Sequence, residues 1–275
     1  MMGLDFELAA FNVFLRWRAP LFWLDGQRPR AARVARWLVE RPFDAVALSE
    51  VFDEPSRAAL LDGLGDSYPH RTQLVGARHG GLLAGNGGVM LVSRWPIELE
   101  DEHVFAPRSP LEERFVNKGV VYARLRKGAH AVHVFAAHAY ARFRPASVRH
   151  RQFEAMRAFV RSKAIDPTEP VLLAGDLNVH RGCEPDYRAM LEALDAHHPA
   201  TEGHDATYDP RDNPLAVGRA RLFLDYVLYS RSHRTPVRAT NAVVRPSGAE
   251  WRVLPWRAPL RELSDHYPVV GSFSF

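Results

Sequence analysis

Apolar runs that close on a polar residue recur along this chain, and they predict most of its strands. Val171-Leu-Leu-Ala-Gly-Asp176-Leu-Asn178 sets four apolar residues before a glycine, a carboxylate and an amide, the pattern of a buried strand. Phe6 to Val13 alternates polar and apolar residues and carries Asn12 near its end. Asp44 to Glu50 is a short apolar run closing on a carboxylate, and Ala131 to His138 closes on an imidazole. Further strands are predicted at Gly88 to Ser93, at Lys118 to Leu125, at Leu222 to Tyr229, which contains Asp225, and at Val269 to Phe275, entered through Ser264-Asp265-His266-Tyr267-Pro268. Helical spacing is read at Arg30 to Glu40, which stops before Pro42, at Pro145 to Ser162, with Val148, Phe153, Met156 and Val160 near one face, and at Glu184 to Ala193. Several strands follow one another too closely for crossover helices, which predicts mixed sheets. The fold class expected is therefore α/β, two mixed β-sheets packed face to face with helices outside.

The residues that close these runs share one chemistry: Asn12, Glu50, His138, Asp176, Asn178, Asp225, Asp265 and His266. Ligands of α/β sheets bind at strand ends, so polar residues gathered there from distant stretches are expected to meet in one site. An extended chain would put Asp176 and Asn178 on one face, and Gly175 would let a ligand or a neighbouring backbone come close. The bland alternative is a strand exit closed by an Asx turn. Oxygen donors without cysteine suit a hard cation such as Mg²⁺, Mn²⁺ or Ca²⁺, with Glu50 as its anchor, and no His-Glu-x-x-His zinc pattern is present. His266 can serve as a base for water if Asp225 orients its other nitrogen. Asn178 would hold that water or a phosphate oxygen, Asp176 would act electrostatically, and His138 would donate to the phosphate or act as an acid. Ser264 lacks the sequence of a nucleophile elbow, which argues against a serine hydrolase.

Composition narrows the picture. The 275 residues are 47% hydrophobic and 25% charged, as expected of a chain that buries a good core. No linker divides the sequence, and the candidate site draws on residues 12 to 266, so one domain spanning 1–275 is expected. A net charge of +4 is compatible with an anionic substrate or a membrane surface. The arginines are scattered apart from Arg142, Arg144, Arg149 and Arg151, read as a solvated helix face, so nucleic acid is not the favoured partner. The single cysteine, Cys183, excludes an internal disulfide framework. No membrane span or signal peptide is visible, which leaves two expectations for the compartment: secreted if a leader was removed, otherwise cytoplasmic.

The order Asn12, Leu48-Ser-Glu50-Val-Phe-Asp53, His138, Gly175-Asp176-Leu-Asn178, Leu224-Asp225-Tyr226 and Ser264 to Pro268 resembles the endonuclease/exonuclease/phosphatase superfamily. Within it, Gly87 to Ile97, Asn117-Lys-Gly119, Pro145 to Arg149 with Gln152, and Thr201 to Thr207 look like bacterial sphingomyelinases C, nearly end to end. The resemblance implies a four-layer α/β sandwich and Mg²⁺-dependent cleavage of sphingomyelin to ceramide and phosphocholine, with Mn²⁺ or Co²⁺ able to substitute. It implies Glu50 as the metal carboxylate, Asp265 as a metal-side carboxylate, Asn12, Asp176 and Asn178 in the phosphate and metal environment, His266 as base and His138 as partner imidazole. The chain departs from that family at His138-Ala-Tyr140, in lacking its cysteine pair, and at Gly85-Asn86, where support for a peripheral metal site is lost. Its aromatic hairpin is shortened to Leu254-Pro-Trp256-Arg-Ala-Pro-Leu260, which weakens the case for tight membrane docking.

The function expected is a phospholipase-C-type phosphodiesterase acting on sphingomyelin or a related choline phospholipid at a membrane surface. A monomer with no obligate protein partner is expected, with Phe52 and Trp256 as exposed rings for the lipid surface. A nuclease or phosphomonoesterase of the same superfamily is the alternative, and a non-catalytic binding module is disfavoured by the full set of polar residues.

Overall fold

The structure is a computed structural model that describes residues 3–16, 26–41, 43–77, 85–105, 117–141, 145–253, 256 and 258–275. Its layers follow from strand alternation. In β1 (Asp5–Leu15), Phe6, Leu8 and Ala10 enter one core while Ala9, Phe11 and Val13 enter another, the period of two of an extended chain. β2 (Ala45–Val51) divides Ala45 and Ala47 from Val46 and Leu48 in the same way. The two strands pair in parallel, joined through the crossover helix α1 (Gln27–Val39). With β3 (His70–Arg71), β4 (Val89–Ser93), β10 (Ala200–Gly203), β12 (Arg238–Val243) and β15 (Val269–Ser274) they form a seven-stranded sheet in the order β10-β12-β15-β1-β2-β4-β3.

The second sheet has six strands, β5 (Ile97–Val104), β6 (Gly119–Lys127), β7 (His130–His138), β8 (Val171–Asp176), β9 (Ala196–His197) and β11 (Asp225–Ser230), in the order β5-β6-β7-β8-β11-β9. Here β7 and β8 are the parallel pair, joined through α3 (Ala146–Ser162), and their neighbours run antiparallel. Leu8, Leu91, Val134 and Val227 fill the core where the sheets meet. Trp37, Leu38 and Leu60 cover the outer face of the first sheet. On the outer face of the second, Phe135 packs edge-on against Phe159 of α3, beside Met190 of α4 (Glu184–Leu194). Helices, sheet, sheet and helices make the four layers expected. A separate hairpin, β13 (Ser247–Trp251) with β14 (Leu260–Glu262), rests on the start of α1, where Trp251 lies against Gly26.

Two differences from the sequence reading have simple causes. The helix α2 (Glu54–Leu64) is not predicted because its buried face is thin, only Ser56, Leu60 and Leu64; its start is marked by Asp53, which accepts the Ser56 N–H at 3.0 Å, and by Pro55 in the first turn. Arg149, read as part of a solvated face, is buried and reaches toward the carbonyl of Ala141. Arg142 and Arg144 lie outside the described residues. Among the described residues no helix is long and apolar enough to cross a membrane.

Candidate active site

Register assembles one side of the site. His138 at the end of β7 pairs with Asp176 at the end of β8, and Asp225 pairs with Asp176 from the other side. Residues directly opposite in a sheet project from the same face, so an imidazole and two carboxylates stand side by side on the face turned toward the first sheet. Asp225 opens β11, so the strand predicted at Leu222 to Tyr229 begins three residues late. Because β11 runs antiparallel to β8, its entrance lies at the same end as the exits of β7 and β8.

The first sheet supplies the other side. Asn12 follows Phe6, Leu8 and Ala10 onto the inner face and donates its Nδ2 to Asp176 Oδ2 and to Glu50 Oε1, each at 3.1 Å. Simple alternation would send Glu50 to the helix side with Val46 and Leu48. Its backbone instead takes a left-handed φ of 60°, beside the register shift between β1 and β2, and this turns the carboxylate toward Asn12. Asn12 Oδ1 accepts the Phe14 N–H at 3.1 Å, so the amide nitrogen faces the two carboxylates. Ser264 Oγ donates to the carbonyl of Asn12 and accepts the His266 N–H at 3.2 Å, a structural tie.

The strand exit at Asp176 is tighter than an extended chain would be. Asn178 adopts a φ of 54° and its N–H reaches Asp176 Oδ1 at 3.1 Å, so an Asx-type turn, not the period of two, sets the relation of the pair. The Asn178 side chain is anchored on the carbonyl of Ala139 at 3.2 Å. Gly175, at φ 134°, brings β8 so close to β7 that a Cβ there would lie 1.9 Å from the Ala137 carbonyl oxygen; a neighbouring backbone is what the glycine admits.

His266 Nδ1 lies 2.8 Å from Asp225 Oδ2, which leaves Nε2 facing Asp176 Oδ2 at 4.0 Å. Burial opposes a charge on His266, but the Asp225 carboxylate and its hydrogen bond, with Asp265 and Asp176, outweigh it and hold the imidazole well above its usual range. His138 goes the other way. Burial first, then Lys118 and His266, keep it well below the usual value and neutral, with Nε2 3.5 Å from Asp176 Oδ2. Burial and the neighbouring Asp225 push the Asp176 carboxyl up to about 7, against the lowering effects of His266, Lys118 and Asn12. Burial also lifts Asp265 to about 7, with Glu50 adding to the rise and His266, Arg30 and Arg16 opposing it.

These features fit a hard divalent cation. A buried Asp265 carboxyl beside a half-buried Glu50 carboxylate is a concentration of negative charge that a cation would relieve. Asp225 Oδ1 and His138 Nδ1 are buried without hydrogen-bond partners among the described residues, so the site has polar capacity that those residues do not fill. Asp176, Asp225 and His266 have ligand atoms within 4.8 Å of one another, but the close His266–Asp225 hydrogen bond already occupies two of them. A cavity of about 320 Å³, lined by Asn178, Tyr208, Leu222, Leu224 and His266 and edged by Val217 and Arg219, opens beside the pair. A larger cavity of about 470 Å³ between α3 and α4 contains none of the candidate residues.

The two rings proposed for a lipid surface differ. Trp256 is 77% exposed in the turn between β13 and β14, flanked by Leu254, Pro255 and Arg257, which lie outside the described residues. Phe52 is half-buried, with its ring against Gly88. At Gly85-Asn86, where the sequence departs from the family, Asn86 Oδ1 accepts the Gly88 N–H at 2.9 Å. Two cationic contributors were not singled out by the sequence reading. Lys118 donates to the carbonyl of Ala139 at 2.9 Å and acts on both His138 and Asp176. Arg30, fully buried, donates to the carbonyls of Val13 and Leu263 at 2.7 and 2.8 Å and also to that of Phe14, tying the end of β1 to the approach to His266. Lys118 lies within the Asn117-Lys-Gly119 motif, whereas Arg30 sits in a helix with nothing local to mark it.

A sheet pair with carboxylates, amides and imidazoles at one rim defines a class. The chain belongs to the endonuclease/exonuclease/phosphatase family, which it matches over residues 9–266. Within that family it is similar to sphingomyelinase C of Leptospira interrogans, at 33% identity over 98% of this chain and 52% of that protein. The chain thus spans about half the length of that relative. Among solved structures it is similar to sphingomyelinase C from Streptomyces griseocarneus, with a TM-score of 0.88 and 30% identity over 98% of this chain and 99% of that one. It is also similar to a beta toxin variant from Staphylococcus aureus with bound magnesium ions, with a TM-score of 0.89 and 27% identity over 99% and 100% of the two chains.

Proposed function

We propose that the chain is a Mg²⁺-dependent phosphodiesterase of phospholipase C type that hydrolyses sphingomyelin, or a related choline phospholipid, to ceramide and phosphocholine. The observation that carries this reading is the buried His266–Asp225 pair at 2.8 Å, with His266 in the wall of the cavity beside Asn178. The likeness to sphingomyelinases C at about a third identity supports the substrate. The chain acts as one catalytic domain and as a monomer without an obligate protein partner.

In this reading His266 first gives up a proton to solvent; in that neutral form it keeps its remaining proton on Nδ1, held by Asp225, and Nε2 takes a proton from water as the water oxygen bonds to phosphorus. The bond between phosphorus and the ceramide oxygen breaks, that oxygen takes up a proton from solvent, and His266 returns its proton to solvent. One water is consumed. Asn178 orients the water or a phosphate oxygen, while Asp176 favours the imidazolium as it forms. His138, held neutral by its surroundings, acts as a hydrogen-bond donor to the phosphate and not as the proton source. Mg²⁺ on Glu50 and Asp265, with Mn²⁺ or Co²⁺ as substitutes, would polarise a phosphoryl oxygen and offset charge on the leaving oxygen. Asn12 spaces the carboxylates around it.

Purified protein assayed on sphingomyelin vesicles, phosphatidylcholine vesicles, plasmid DNA and a phosphomonoester is expected to cleave sphingomyelin, only with Mg²⁺. Preferential cleavage of DNA or of the monoester would overturn the substrate in favour of another activity of the family. Trp256 is proposed to meet the lipid surface, as exposed aromatic rings settle at the headgroup level. Trp256→Ala is expected to reduce cleavage of vesicle lipid while hydrolysis of a soluble phosphocholine ester stays nearly unchanged. Equal losses on both substrates, or none on either, would reject that contact.

A further inference from the structure

Asp225 belongs to the second sheet, whereas His266 lies on the segment entering β15 of the first. Their hydrogen bond therefore bridges two separately built layers, and its alignment depends on whatever fixes the distance between those two strands of chain. A short segment, Thr207 and Tyr208, touches both. Thr207 is fully buried, and its Oγ1 accepts the N–H of Leu224 at 2.9 Å and of Asp225 at 3.2 Å. Its carbonyl accepts the N–H of Tyr267 at 2.7 Å, on the other side. The N–H groups of Thr207 and Tyr208 both donate to the Leu222 carbonyl at 2.9 Å, and the Leu222 N–H returns to the Tyr208 carbonyl at 2.8 Å.

Tyr208 forms backbone bridges with Leu222 and with His266. Its ring meets the His266 imidazole at a centroid distance of 5.1 Å and an angle of 61°, and it lines the same cavity. The hydroxyl is fixed twice by one residue, accepting the Val217 N–H at 2.7 Å and donating to the Val217 carbonyl at 2.9 Å. The ring therefore has little freedom, and the imidazole beside it is confined from that side.

We propose that Thr207 and Tyr208 are positioning residues, a strap across the two sheets that sets the separation and angle of Asp225 and His266. This rests on the reading of that pair as the working base and its orienting carboxylate. Thr207→Val keeps the shape of the side chain and removes the acceptor shared by Leu224 and Asp225. The test follows kcat and KM on sphingomyelin together with the downfield Nδ1–H proton resonance of His266 by NMR, with Thr207→Ser as the restoring variant. Thr207→Val is expected to lower kcat about tenfold to a hundredfold, the scale of a small misplacement of a catalytic group, with little change in KM. The His266 resonance is expected to weaken through faster exchange, and Thr207→Ser to restore both readouts.

A folded Thr207→Val with kcat and resonance unchanged, or with a loss confined to KM, would overturn the strap. If Thr207→Val fails to fold, Tyr208→Leu decides, since it keeps the backbone bridges and removes the ring from His266. It is expected to lower kcat and weaken the resonance, and no change in either would overturn the proposal. The resonance separates this inference from the substrate assignment: a wild-type protein inert toward sphingomyelin whose His266 signal still depends on Thr207 would support the strap and reject the substrate.

Discussion

Replacing His266 with alanine is expected to lower turnover by about a hundredfold to ten-thousandfold, the range typical for loss of a general base, while the protein still folds. Among the described residues the side chain contributes one hydrogen bond, to Asp225 Oδ2 at 2.8 Å, and its removal leaves the backbone ties of Ser264 and Tyr267 in place. Asp225→Asn is expected to share much of that loss, because an amide can present an N–H to Nδ1 and favour the wrong tautomer. The double variant should be far from additive, since the two residues act as one unit. Single effects that simply multiply would reject the pair.

The pair also has a signature in pH. In the metal-free protein His266 is held well above its usual value against the opposing effect of burial, and Asp225 is the leading cause of that rise. A raised imidazole pKa contributes stability that is fully present below the ordinary value of about 6.5 and is lost as pH rises through the folded value. Asp225→Asn is therefore expected to lower the His266 pKa in an NMR titration and to remove that part of the pH dependence of unfolding. An unchanged His266 titration would mean that the Asp225 contact does not govern its charge.

Much of this site was legible because its residues announce themselves locally. Val171 to Asp176 is an apolar run with nowhere to go but a buried strand, and the carboxylate at its end is conspicuous for that reason. Ser264 to Pro268 precedes a strand in the same way. What the sequence could not carry was direction and support. Glu50 lies on the wrong phase of β2 for the site, and only its left-handed backbone turns it inward. Asn178 reaches its place through a turn, where period counting assumed a strand. Arg30, Thr207 and Lys118 act on main-chain atoms of distant segments, such as Leu263, Asp225 and Ala139, and a bond to a backbone group leaves no mark on the identity of its partner. The helix α2 was missed for a related reason: with so thin a buried face, its cap at Asp53 says more than its hydrophobic pattern.

Removal of divalent cations is expected to abolish turnover, and Glu50→Gln to raise the Mg²⁺ concentration needed for half-maximal activity, because the substitution removes the anchor charge and leaves mostly neutral ligands for a hard ion. Calcium is expected to bind without supporting the reaction. The same claim can be read without any substrate. A ligand that binds only the folded state raises its stability in proportion to the logarithm of its concentration over Kd, so Mg²⁺ should raise the melting temperature of the wild type and much less that of Glu50→Gln. In the metal-free protein Asp265 is lifted from 3.8 to about 7, first by burial and then by Glu50. For a carboxyl raised in this direction the folded state holds the proton more tightly, so its contribution to stability falls as pH climbs from about 4 to about 7. As pH passes through about 7 the buried carboxylate becomes charged, and the stabilisation by Mg²⁺ should grow. Activity that persists in excess chelator, or a melting shift by Mg²⁺ that is independent of both pH and Glu50, would place the cation somewhere other than between Glu50 and Asp265.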